Sequence, residues 1–215
     1  MHETKTLLTT VSILFALLSY IPYFRDIKNH KTRPHAFTWL VWCVMSTAAY
    51  FSQVADGGGV ATWVLAFTAI VNFFIFAAAL YRGATDINTT DWFCLFGAFI
   101  GLTLFSFSND ERLSLFIISS VNIIGFIPTV RKSMLKPQQE TAMTFAFTAL
   151  KYIFAILALE NFSIGTVLYP ATVGVSNILF VVLLLTRRQQ LGYLLKKRIL
   201  KKPIGKTRLK TARAL

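Results

Sequence analysis

The chain repeats itself, and nothing else in it constrains the fold as strongly. The stretch Tyr20-Ile21-Pro22-Tyr23-Phe24-Arg25 through Pro34-His35-Ala36-Phe37-Thr38-Trp39 returns as Phe126-Ile127-Pro128-Thr129-Val130-Arg131 through Glu140-Thr141-Ala142-Met143-Thr144-Phe145. At an offset of 106 (21 to 127), Ile21, Pro22, Arg25, Ala36, Thr38 and Gly59 meet Ile127, Pro128, Arg131, Ala142, Thr144 and Gly165. One residue is then deleted, the offset becomes 105 (72 to 177), Asn72 meets Asn177, and Arg82 meets Arg187. In a membrane protein, two similar halves point to a substrate path where they meet.

The surroundings of the repeat are those of a membrane protein. Of 215 residues, 55% are hydrophobic and 14% charged, more apolar than a soluble domain of this size. The apolar residues fall into seven blocks, at about 7–24, 36–54, 60–81, 92–107, 113–130, 141–159 and 166–186. A helix needs roughly 20 residues to cross the ~30 Å hydrocarbon layer, and most blocks fit, 92–107 least well. The blocks are continuous rather than alternating, which favours helices over a barrel. The first block lacks a small-residue cleavage site and belongs to the repeat, so it reads as a span and not as a signal peptide.

The net charge of +13 does not point to nucleic acid once the charges are placed. Arg25, Lys28, Lys31 and Arg33 follow span 1, Arg82 follows span 3, and Arg131, Lys132 and Lys136 follow span 5. Eleven more basic residues follow span 7. With the N-terminus outside, all of them lie on one side. The other side holds Lys5 and Arg112 against Glu3, Asp56, Asp110, Glu111 and Glu160. The positive-inside rule then puts the N-terminus outside and the C-terminus in the cytoplasm of an inner, cytoplasmic membrane. The expected fold is all-α: repeat 7–81, linker helix 92–107, repeat 113–186 and basic tail 187–215. The linker is required because three crossings reverse the chain, and one more restores the orientation for a second, parallel repeat. In the tail, Leu191, Leu194, Leu195 and Ile199 recur at helical spacing among lysines and arginines. That predicts a short amphipathic helix on the anionic inner leaflet followed by a disordered basic end.

The sequence argues against an enzyme. It contains no Gly-x-Ser-x-Gly, His-Glu-x-x-His or Cys-x-x-Cys and no membrane-embedded pair of carboxylates. His2, His30 and His35 have no second ligand at metal spacing. Cys43 and Cys94 read as small packing residues. Asp56-Gly57-Gly58-Gly59 is an outer turn, with neither the lysine nor the strand of a phosphate loop. No metal or cofactor is implied.

Polar and aromatic residues at membrane depth remain. Asn72 and Asn177 stand at equivalent points of spans 3 and 7, where an amide has to find partners. They serve either as glue between helices or as a facing pair for a polar ligand. Thr38, Trp39 and Trp42 in span 2 answer to Thr144 and Phe145 in span 6. Trp39 and Trp42 share a helix face and form either an interfacial belt or a stacking surface. Lys151 is the ionisable residue deepest in a span. It faces a cavity or snorkels to an interface, and its equivalent in the first half is Met45. Pro22 and Pro128, near the cytoplasmic ends of spans 1 and 5, mark helix ends or gating hinges.

Two Pro-x-x-Arg stretches, the basic loops after them and the three-plus-one-plus-three plan resemble the PQ-loop and SWEET transporter superfamily, which includes vitamin carriers of the nicotinamide riboside type. The resemblance covers 7–186. It implies that Asn72 and Asn177 line the substrate pocket and that Pro22 and Pro128 belong to the gating set. The Pro-Gln dipeptide is Pro22-Tyr23 and Pro128-Thr129 here, and spans 2 and 6 lack the family's prolines. The resemblance therefore implies the architecture and not a sugar. The expected function is facilitated transport of a small polar solute such as a sugar or vitamin-like metabolite by alternating access, with a SWEET-fold receptor or a structural membrane protein as the alternative. The expected partners are a small-molecule solute and, for the tail, anionic lipid; a homo-oligomer is compatible with the plan.

The charge asymmetry predicts that position 56 is outside and position 28 inside. In a background without Cys43 and Cys94, an impermeant thiol reagent applied to intact cells is expected to label a cysteine introduced at 56 and to spare one at 28; the reverse pattern would overturn this topology.

Overall fold

Each apolar block carries one helix. A computed structural model of the protein describes residues 2–82, 87–107 and 111–201. Among them are seven α-helices and no strand: α1 (His2–Lys28), α2 (Ala36–Ala55), α3 (Trp63–Tyr81), α4 (Thr89–Phe107), α5 (Glu111–Leu135), α6 (Ala142–Ala158) and α7 (Ile164–Lys201). A 3-10 turn at Gly59–Thr62 leads into α3, and another at Pro137–Gln139 precedes α6. The glycine turn between α2 and α3 uses positive φ at Gly57 (70°) and Gly59 (66°), where side chains are disfavoured.

Two expectations change. Pro22 and Pro128 lie inside α1 and α5, which run on to Lys28 and Leu135, so neither proline marks a helix end. A proline leaves one carbonyl without its usual donor, but helices in lipid tolerate this because neighbouring groups re-satisfy it. The helix expected in the tail is also not separate, since α7 continues without a break to Lys201. Asp110 and the tail beyond Lys201 lie outside the described residues.

Three helical segments, Glu3–Lys28, Gly59–Tyr81 and Ile164–Tyr193, are long and apolar enough to cross a membrane, while Thr89–Phe105 and Ala142–Ala158 are apolar but shorter. The other helices are diluted by polar residues that turn inward, such as Ser46 on α2 and Ser119 and Asn122 on α5, all buried. The bundle is inside-out relative to a water-soluble one. Ser12, Ser19, Thr38 and Lys151 have no exposed surface, while Phe74, Phe93 and Leu179 are more than half exposed. Hydrocarbon as the outer solvent accounts for both.

The helices pair in a crossed pattern. α2 lies along α3 and α6 along α7; α3 also touches α1, and α7 touches α5. Between these groups, α1 packs on α6 and α2 on α5, while α4 packs mainly on α5. At the α1–α6 contact, Ser19 and Thr148 share a hydrogen bond of 3.2 Å and Thr144 donates to the Ser19 carbonyl at 2.8 Å. One repeat away, the same places hold Gly125 and Trp42. A Cβ on Gly125 would come within 2.9 Å of Val41 and 3.3 Å of the Trp42 ring, so the missing side chain makes room for the indole. Arginines also repeat their contacts. Arg82 donates to the Lys28 carbonyl at 3.3 Å, and Arg187 donates to the Met134 carbonyl at 2.8 Å. Each caps the C-terminal end of a helix, where a cation is favoured.

The two basic loops meet. The Arg33 N–H donates to the Gln139 carbonyl at 3.2 Å, and Thr32 and Thr141 hydroxyls lie 2.6 Å apart. At the opposite end of the bundle, Gln53 donates to the Thr166 carbonyl at 2.6 Å and Lys5 to the Leu157 carbonyl at 2.8 Å.

On α4, Gly101 faces α5, and a Cβ there would lie 2.2 Å from Val121, whereas a Cβ on Gly97 meets nothing within 4 Å. Gly101→Ala is expected to destabilise the bundle by about 1–3 kcal/mol through overpacking. Gly97→Ala is expected to leave it unchanged or stabilise it by up to ~1 kcal/mol through helix propensity. Thermal unfolding in detergent measures both, and equal effects would contradict the close α4–α5 approach.

Candidate functional site

Where the crossed pairs meet, polar side chains surround a small central cavity. Residues one repeat apart both line it: Tyr20 and Phe126, Trp39 and Phe145, Trp42 and Thr148. So do Ser46 and Tyr152, Thr68 and Val173, and Asn72 and Asn177. Lys151, Thr144, Asn122 and Tyr169 complete the lining. The free space is about 30 Å³. That admits a water molecule or two but not a ligand of sugar or vitamin size, whose pockets measure roughly 300 Å³ and more.

Of the residues singled out from the sequence, Asn72, Asn177, Lys151, Trp39, Trp42, Thr144 and Phe145 come together here. Thr38 does not. It is fully buried and accepts a hydrogen bond from Thr129 of α5 at 3.0 Å, which makes it part of the α2–α5 contact. Pro22 and Pro128 lie off the cavity, but the residue after each reaches across the bundle. Tyr23 donates to Glu140 at 3.2 Å, and Thr129 donates to Thr38.

The two amides differ in what holds them. Asn72 donates to the Ser46 hydroxyl of α2 at 3.2 Å, and Ser46 donates in turn to the Trp42 carbonyl at 2.7 Å. Asn177 donates to the Val173 carbonyl one turn back on its own helix at 2.8 Å. Among the described residues the two do not bond to each other, and the hydrogen bonds found for both are donations from the amide nitrogen. Joining helices therefore describes Asn72 and not Asn177.

Lys151 has no exposed surface. From α6 its ammonium reaches across to the first half, donating to Thr68 at 2.9 Å and to Tyr20 at 3.5 Å. It also lies 4.3 Å from the centre of the Tyr152 ring, within cation–π range. Beside Lys151 and toward the basic loops, the aromatic residues form a continuous cluster. Trp42 packs on Phe126 at 4.4 Å and edge-on to Trp39 at 5.1 Å, and Phe145 meets Phe180 at 4.5 Å. The belt reading therefore does not describe Trp39 and Trp42, because both are buried.

Two charged clusters tie the elements at the basic-loop end. Asp91, in the first turn of α4, accepts two hydrogen bonds from Arg131 of α5, at 3.2 and 2.7 Å, and lies 3.2 Å from His35. Burial holds the His35 imidazole below its ordinary pKa, against the pull of Asp91. Lys132 bonds to Glu140 and to the Arg33 carbonyl. Burial pushes the Glu140 carboxyl up, while the Lys132 ammonium and the Tyr23 hydroxyl hold it down. A groove of about 310 Å³ opens beside these clusters, lined by His30, Arg33 and Arg82 among others. Its cations are exposed, and Arg82 is already engaged with His30 and Lys28.

Sequence reasoning missed Tyr20, Ser46, Thr68, Asn122, Phe126, Thr148, Tyr152, Tyr169 and Val173 as lining residues. For Thr148 the repeat offset was a usable signal, since its equivalent Trp42 was itself selected. Tyr20 and Phe126, Ser46 and Tyr152, and Thr68 and Val173 are repeat partners that both line the cavity, but neither member of a pair was selected, and Asn122 and Tyr169 stand opposite Ala16 and Val64. Cys43 and Cys94 are free thiols. Among the described residues, no group of His, Cys, Asp and Glu is placed to hold a metal ion.

Asn72→Ala breaks a bond between α3 and α2 and is expected to cost about 0.5–1.5 kcal/mol of stability. Asn177→Ala breaks one within α7 and is expected to cost less. Thermal unfolding in detergent gives the order, and a larger loss at Asn177 would contradict these assignments.

No family model, curated protein or solved structure matches the chain.

Proposed function

We propose that the chain is a seven-span, SWEET-like facilitator that moves a small polar solute across the cytoplasmic membrane by alternating access. In this reading α1–α3 and α5–α7 are parallel repeats joined by α4. The pairing of helices supports it: exchanging α1 with α5, α2 with α6 and α3 with α7 turns the α1–α6, α2–α3 and α1–α3 contacts into α2–α5, α6–α7 and α5–α7, all of them present, and α4 has no counterpart. The N-terminus is outside, and the basic loops and tail face the cytoplasm and its anionic lipid. The solute site comprises Asn72, Asn177, Lys151, Trp39, Trp42, Thr144 and Phe145. Pro22 and Pro128 act as hinges beside the ties made by Tyr23 and Thr129.

The observation that carries this reading is the shared cavity, lined from both halves by residues one repeat apart. A path between repeats is where such a fold places its substrate. The cavity is too small for a solute as it stands, so binding requires the helices to part at one end. Toward the basic loops this breaks charged ties, and at the other end it breaks neutral ones such as Gln53 to Thr166.

The second reading is a receptor or structural protein on the same fold, and the small free volume favours it. Purified protein screened by thermal shift against sugars, vitamins, amino acids and organic acids, then reconstituted into liposomes, separates the two. The transport reading expects saturable counterflow of the stabilising solute without ATP or a proton gradient, reduced tenfold or more by Asn177→Ala. Binding without counterflow would leave a receptor, and no binding at all would leave a structural role.

A further inference from the structure

We infer that the ligand of the central cavity is a small aromatic monocarboxylate, with its carboxylate on Lys151 and its ring toward Trp39, Trp42 and Phe145. The inference rests on the cavity being a solute site, as proposed above, and it names the chemistry of that solute.

The charges of the buried residues carry the first step. Asp91 and Glu140 are buried acids, and the chain supplies each with a cation, Arg131 and Lys132. Lys151 is a buried basic side chain, and among the described residues no acid is paired with it. Its polar partners are the neutral hydroxyls of Thr68 and Tyr20. A buried charge without a counter-charge is costly, and a bound carboxylate provides the missing one. A second donor points the same way. Asn122, 1% exposed, lines the same cavity, and its amide nitrogen has no hydrogen-bond partner.

The body of the ligand follows from the two ends of the cavity. Phe145 and Lys151 lie on one helix six positions apart, a rise of ~9 Å, a separation comparable to the length of one substituted ring, which the cavity of about 30 Å³ admits once the helices part. The end at Phe145 is walled by Trp39, Trp42 and Phe126, which offer ring edges and faces but no charge. Asn72 and Asn177 line the same cavity with their amide nitrogens already donating within the protein, so their carbonyls suit a hydroxyl or amino group on the ring. A substituted benzoate meets all three demands: an anion for Lys151, a flat apolar body for the indoles and a donor for the amides.

The test uses the full-length protein in detergent, in a sodium sulfate buffer free of chloride, with calorimetric titration of 4-hydroxybenzoate, 4-hydroxybenzamide, acetate and chloride. The carboxylate is expected to bind about ten- to a hundredfold more tightly than its neutral amide, the range for a charge-assisted hydrogen bond. Lys151→Met is expected to erase that difference. Met45 is fully buried at the equivalent place, so the substitution suits the fold, and Lys151→Gln gives a second uncharged variant. Asn122→Leu is expected to weaken the carboxylate severalfold. Equal binding of the amide would overturn the anionic assignment, as would a preference that survives loss of the lysine charge. Chloride or acetate binding as tightly as 4-hydroxybenzoate would overturn the aromatic body. Failure of all four to bind would overturn the inference, while counterflow of a neutral solute would leave the transport reading intact.

Discussion

The contact of α1 with α6, matched by that of α5 with α2, is the constraint from which the rest of this bundle follows. Helices in hydrocarbon gain nothing from hiding apolar surface from one another, so close packing and hydrogen bonds have to hold them. The two contacts meet that demand by different means. At α1–α6 the bond is polar, from Ser19 to Thr148, with Ser12 donating to the Lys151 carbonyl at 2.8 Å. At α5–α2 it is steric, with the Trp42 indole set against Gly125. Because both contacts cross between halves, they bring the basic loops together at one end and leave the central cavity between them.

That arrangement explains which parts of the protein were legible in its sequence. Helix positions followed from apolar blocks, and the blocks fall within the observed helices to within a few residues because lipid demands continuous apolar surface. The prolines misled at helix ends. A rule derived from water-exposed helices exaggerates what one missing donor does inside a bundle. The pairing of helices could not be read, because it depends on which small residue faces which large one. Gly125 is silent until Trp42 is seen opposite it. The site residues chosen for symmetry, Asn72 and Asn177, reached the cavity. Thr38, chosen for its place beside Trp39, did not, because one helical step turns a side chain by ~100°. The buried acids Asp91 and Glu140 were invisible as a pattern, since their partners come from other helices.

Symmetry and its violations divide the labour within the cavity. Equivalent positions place the same amide at Asn72 and Asn177, though different partners hold the two. Distinction comes from places where the halves have diverged: Trp42 against Thr148, Ser46 against Tyr152, Met45 against Lys151. Of these, the last changes charge. A methionine needs only packing, whereas an ammonium in the same setting needs donors' complements from every element around it, and here it takes them from α1 and α3 of the other half. Lys151 is thus a strap between the halves. A ligand anion would draw it from Thr68 and Tyr20, loosening the strap as it binds. Under the proposed mechanism, that competition links occupancy to separation of the halves, whereas the buried acids at the loop end already have their cations within the chain.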